Sequence, residues 1–156
     1  MSDRPNPGRK LFPVEEANAR LPLVQRIVED VVAVSKDIVE RRERLAQIKS
    51  GRRSATQDPY SEELAQIEDE LEKERGRLYE FADELRELGV ELKDGLVGLV
   101  DFPAQMDDRV VYLCWKLGEP EVLHWHELDA GFSGRQSLTA GSAVAEDDSA
   151  GSDGDV

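Results

Sequence analysis

Seven residues near the end of the chain have the types that do chemistry: Trp115, His124, Trp125, His126, Glu127, Asp129 and Arg135. Both histidines and both tryptophans of the protein lie among them. In an extended strand, side chains alternate, so His124 and His126 share one face and Trp125 and Glu127 the other. Two same-face histidines on one strand can chelate a divalent metal. With no third histidine, a third ligand would have to be a carboxylate, and Asp101 and Asp129 are the candidates. Alternatively, a histidine here serves as general base. The plainer reading is preferred: one histidine hydrogen-bonded in the core, the other solvated, and no metal or other cofactor.

A short loop follows, Asp129-Ala130-Gly131-Phe132-Ser133-Gly134-Arg135. Its glycines permit an unusual backbone path. Arg135 either closes the turn on Asp129 or faces outward to bind an anion with its forked donors. Cys114 falls in the apolar run Val110-Val111-Tyr112-Leu113-Cys114-Trp115 and reads as a small buried hydrophobe rather than a nucleophile. The chain contains no Ser-His-Asp elbow, no CxxC pair and no glycine-rich nucleotide loop.

A second cluster is basic. Arg41, Arg42, Arg44, Lys49, Arg52 and Arg53 gather between residues 41 and 53, with only Glu43 opposing them. In a chain of net charge −14, such a patch could touch RNA, the ribosome or an acidic partner. The structural alternative is a helix end whose cations complement the helix dipole. The overall acid excess argues against broad nucleic-acid binding.

Two kinds of element must position these groups. Ala17, Leu21, Val24, Val28, Val31, Ile38, Leu45 and Ile48 recur at three- and four-residue spacing, with Ser35 and Arg42 in the gaps. A second such seam runs through Leu64, Ile67, Leu71, Leu78, Phe81, Leu85 and Leu88. These are heptad-like stripes. Pro22 should kink the first helix or divide it. Asp58-Pro59 is a helix start and Gly89 a helix stop. Two helices of similar length joined by a short link pair antiparallel. Beyond Gly89, β-branched and aromatic residues alternate with turn residues, predicting strands near Val90–Lys93, Gly98–Phe102, Val110–Leu117 and Val122–Glu127.

The expected fold is α+β: a long, coiled-coil-like antiparallel helical hairpin over residues 11–89, then a small, mainly antiparallel β module over 90–136 packed on it. Residues 1–10 read as a flexible leader and 137–156 as a disordered acidic tail. No apolar stretch is long enough for a membrane span. A single cysteine and the absence of a secretory signal suggest a cytoplasmic protein. Scarce lysine beside abundant Asp and Glu fits either a high-salt or a GC-rich organism.

The stretches LFPVEEANARLP, LGVELKD, GLVGLVDFPA, VVYLCWKLGEPEV and WHELDAGFSGRQ resemble the domain of unknown function 2203, a family of uncharacterised bacterial and archaeal proteins. With the hairpin, the resemblance covers roughly residues 11–136. It implies the same hairpin-plus-strands layout and no particular activity. By position, the family motif falls on Asp101, Trp115, Trp125, His126, Asp129, Gly131, Gly134 and Arg135. The chain departs from it in having His124 where tyrosine is frequent and Pro13 where a small polar helix start is usual. The preferred expectation is a non-catalytic interaction protein, a homodimer through its hairpin, with a small polar-aromatic site in the β module. A metal-binding protein or enzyme using His126 and Asp129, and an RNA or ribosome contact through Arg41, Arg42, Arg52 and Arg53, are the alternatives.

Overall fold

The computed structural model describes residues 10–51 and 61–138. The expected leader up to residue 9, Arg52, Arg53, Asp58-Pro59 and the tail from residue 139 lie outside the described residues.

Helix α1 spans Val14–Gly51 and helix α2 Ser61–Glu87. Pro13 precedes α1, and its carbonyl accepts the first helical hydrogen bond, from the Ala17 amide at 3.0 Å. Glu15 and Glu16 occupy the first turn, where the helix dipole favours acids. Pro22 does not divide the helix; α1 continues through it. The proline sits on the exposed side, and its flanking residues Leu21 and Val24 are buried. An interior proline costs about 3 kcal/mol. Burial of Leu21, Val24 and Val28 against the sheet offsets that cost.

The end of α2 is set by Gly89, at φ 91°. Its amide bonds back to the Arg86 carbonyl at 2.9 Å, and the Val90 amide to the Leu85 carbonyl at 2.9 Å. This is the Schellman closure, accompanied by its apolar contact, since Leu85 and Val90 are both fully buried in the core. The distal half of the hairpin packs as its own cluster: Val34, Ile38 and Ile48 of α1 against Leu64, Ile67 and Leu71 of α2. Arg41 pairs with Glu70 at 3.2 Å and Glu74 at 3.0 Å, Arg44 with Glu63 at 2.7 Å, and Lys49 with Glu68 at 3.8 Å. These pairs bridge the two helices along the seam.

Strands β1 (Glu91–Asp94), β2 (Leu99–Met106), β3 (Arg109–Lys116), β4 (His124–Glu127) and β5 (Gln136–Ser137) form one five-stranded antiparallel sheet in sequential order. Two features differ from the sequence expectation. Strand β2 runs on through Pro103 to Met106, and a fifth strand closes the edge. Pro103 is tolerated because its main chain faces the side of β2 that β1 no longer covers, where no ladder N–H is needed; there its carbonyl accepts the Phe12 amide at 2.7 Å, which ties the start of the helical layer to the sheet.

The sheet has two unlike faces. Val100, Phe102, Ala104, Met106, Val111, Leu113, Trp115 and Trp125 face Phe12, Ala17, Leu21, Val24, Val28 and Leu85 in the main core. Alternation sends Asp101, Tyr112, Cys114, His124 and His126 to the opposite face.

Candidate functional site

Strand register brings the polar face together. Glu91 pairs with Asp101, Asp101 with Cys114, Cys114 with His124, and His124 with Ser137, giving one row across all five strands. His126 stands one step along, opposite Tyr112, and reaches across β3 toward β2. Its Nε2 lies 3.1 Å from each oxygen of the Asp101 carboxylate. Both side chains are almost fully buried, at 3% and 2% exposure. Cys114, between them, is wholly buried.

The protonation of His126 follows from its neighbours. Nδ1 lies 2.7 Å from the Glu127 carbonyl oxygen, which can only accept, so Nδ1 carries a proton. Nε2 faces the Asp101 carboxylate and donates to it. The ring is therefore an imidazolium in the metal-free protein. Burial by itself disfavours that charge. Hydrogen bonds to Asp101, Cys114 and the Glu127 carbonyl, with the Asp101 charge, outweigh burial and raise the pKa to about 10.

Arg135 covers the other side of Cys114. Its Nη1 donates to the Cys114 sulfur at 3.8 Å, and its Nη2 pairs with Glu119 and lies 2.7 Å from His124 Nδ1. The guanidinium also stacks over the Phe132 ring, 4.6 Å from its centroid. Glu119 is held in turn. Its Oε1 accepts the Lys116 amide at 3.0 Å, and its carbonyl accepts the Trp115 indole N–H at 3.0 Å. The loop that carries Arg135 passes through Gly131, at φ 72°, and a single 3-10 turn, Phe132–Gly134.

Of the residues singled out from sequence, Asp101, His126 and Arg135 converge around Cys114. His124 shares the face, but its ring nitrogens lie against the Arg135 guanidinium. His124 is not part of the group of donor atoms within 4.8 Å that Asp101, Cys114 and His126 form. Asp129 is exposed and stands apart; Arg135 pairs with Glu119 rather than with it. Trp115 and Trp125 point into the core, Trp115 serving the site only through its hold on Glu119. Sequence reasoning missed Cys114 and Glu119 as site residues. Strand pairing would have exposed the first, because it sets Cys114 directly opposite His124.

The basic cluster is largely spent in interhelical pairs: Arg41 and Arg44 face glutamates of α2, while Arg42 is exposed. Arg52 and Arg53 lie outside the described residues. Among the described residues, no helix is long and apolar enough to cross a membrane.

The geometry discriminates between chemistries. In a cysteine nucleophile's triad, one ring nitrogen faces the thiol and the other its orienting carboxylate or amide. Here Nε2 faces the Asp101 carboxylate, and Nδ1 is held by a main-chain carbonyl. No relay between thiol and carboxylate runs through this ring. What the arrangement offers is three unlike donor atoms, of oxygen, sulfur and nitrogen, within 4.8 Å of one another.

No curated protein and no solved structure matches the chain. A family model described as an uncharacterized conserved protein matches residues 10–138, most of the chain and all of the hairpin and sheet described above. The protein belongs to the DUF2203 family.

Proposed function

We propose that this chain is a non-catalytic binding protein whose ligand site is the polar face of the sheet around Asp101, Cys114, His126 and Arg135. One observation carries the reading. Side chains from β2, β3, β4 and the loop after β4 meet on the face turned away from the apolar core, within hydrogen-bond reach of one another. A two-layer domain has no packing need for a buried carboxylate, thiol and imidazolium on its outer face, and isolated charges there are costly. The engagement of the two His126 nitrogens by the Glu127 carbonyl and the Asp101 carboxylate supports binding over nucleophilic catalysis. The hairpin supports an accessory role: beyond Val34 its apolar cluster contains no strand residue, so its distal half projects as an arm with a charged surface.

The test is thermal unfolding of the full chain with a panel of divalent ions, small anions and carboxylic acids. A ligand at about 100 times its Kd adds about 2.7 kcal/mol. For a chain of this size, that raises Tm by several degrees. One class of ligand is expected to do so for the wild type and not for Asp101→Asn or Arg135→Lys. If no ligand shifts Tm, or if the protein shows a turnover abolished by Cys114→Ser, the reading is wrong.

A further inference from the structure

We infer that Asp101, Cys114 and His126 are the ligands of a single divalent transition metal of the zinc class. This rests on the reading of the polar face as a ligand site and names the ligand. The donor atoms of the three residues all lie within 4.8 Å of one another, and all three residues are buried. A tetrahedral ion at ordinary zinc bond lengths spaces its donors by about 3.3–3.7 Å. The donors need to move by only a fraction of an ångström to a little over one. With three protein donors, the fourth position of a tetrahedral ion is left to water.

The supporting contacts are those of a metal ligand set. Histidine ligands hold their free N–H on a carbonyl or carboxylate, which fixes the tautomer and aims the other nitrogen. His126 does this through Nδ1–H on the Glu127 carbonyl. A thiolate ligand is steadied by a donor on its outer side, and Arg135 Nη1 already donates to the Cys114 sulfur. Arg135 is itself neutralised by Glu119, so it adds no net charge to the pocket.

The ligands bind as a carboxylate, a thiolate and a neutral imidazole, so together they carry two negative charges against the ion's two positive ones. The occupied site is then neutral, and burial, which penalises net charge, does not oppose it on that account. Sulfur and imidazole nitrogen select zinc, cobalt or nickel over magnesium and calcium, which prefer all-oxygen sites.

Cobalt titration of the full chain, purified without an affinity tag and stripped with chelator, tests the inference. The wild type is expected to develop a thiolate-to-cobalt charge-transfer band in the near ultraviolet that saturates at one equivalent and is chased by zinc. Cys114→Ser should lose the band, and His126→Gln should weaken zinc binding by at least about 100-fold, more than the usual loss for an outer-shell partner. The wild-type band decides the matter even where a buried substitution impairs folding. Cobalt bound without that band, or zinc affinity within about threefold of wild type in folded Cys114→Ser and His126→Gln, overturns the site and assigns the ions to the acidic surface. If no ion binds but an anion stabilises the wild type and not Arg135→Lys, the metal falls while the binding reading stands.

Discussion

His126 is held by two acceptors at once, a main-chain carbonyl and a buried carboxylate, and that arrangement fixes its charge. The linkage has a definite sign. The ring's pKa is raised from the ordinary histidine value to about 10, so its stabilising contribution is complete below about pH 6.5 and is lost as pH rises through 10. Urea unfolding in the presence of chelator measures this. Wild type should exceed His126→Gln by a gap that is constant below about pH 6.5 and narrows toward pH 10. A gap that widens with pH contradicts the assignment. At this scale the sequence was partly legible. Asp101, His126 and Arg135 stand out because carboxylate, imidazole and guanidinium are conspicuous in a β-rich stretch. Cys114 does not. Its strand is apolar on both faces, so composition hides which way the thiol points, and only register with His124 reveals it.

The elements were the most legible part. Leu, Ile and Val at three- and four-residue spacing fill the hairpin seam, and Gly89 stops α2 by adopting a left-handed conformation. Pro22 does not divide α1, because one missing hydrogen bond on an exposed helix side is outweighed by the apolar residues buried beside it. The short β5 and the extension of β2 past Pro103 were not legible, since both depend on what the neighbouring segment offers as a partner. The connection between β1 and β2 shows how tightly sheet and hairpin fit. Gly98 has φ 76°, and a Cβ there would stand 2.7 Å from Leu117 Cβ and 2.9 Å from Val28 Cγ1. Gly98→Ala therefore carries backbone strain and a clash with α1, and is expected to cost more than about 2 kcal/mol in chemical unfolding. Gly76→Ala, on an open helix surface with nothing within 4 Å, should instead stabilise by up to about 1 kcal/mol. Equal effects at the two glycines would contradict the docking of this turn on α1.

At the scale of the whole molecule, one helix serves two clusters. The proximal half of α1 packs on the sheet, and its distal half packs on α2 alone. The distal seam of α1 is filled by the chain's own returning helix. Arg41, Arg44 and Lys49 likewise find glutamates within the chain. What is left unexplained by packing is the polar face of the sheet, where the chain assembles unlike donor atoms under an arginine. That face sits opposite the apolar core and is positioned by it, because Val100, Leu113 and Trp125 anchor the strands from which Asp101, Cys114 and His126 point the other way. The most direct measurement is a long-range proton–nitrogen NMR spectrum of the histidine rings in the full chain, stripped of metal, at roughly pH 8, where an ordinary histidine is neutral. One ring, assigned by its loss in His126→Gln, should show both nitrogens protonated, and added zinc should remove the proton from Nε2 while leaving Nδ1 protonated. A His126 ring that is neutral at that pH and titrates like a solvent-exposed histidine would mean that the carboxylate, the thiol and the imidazole do not meet.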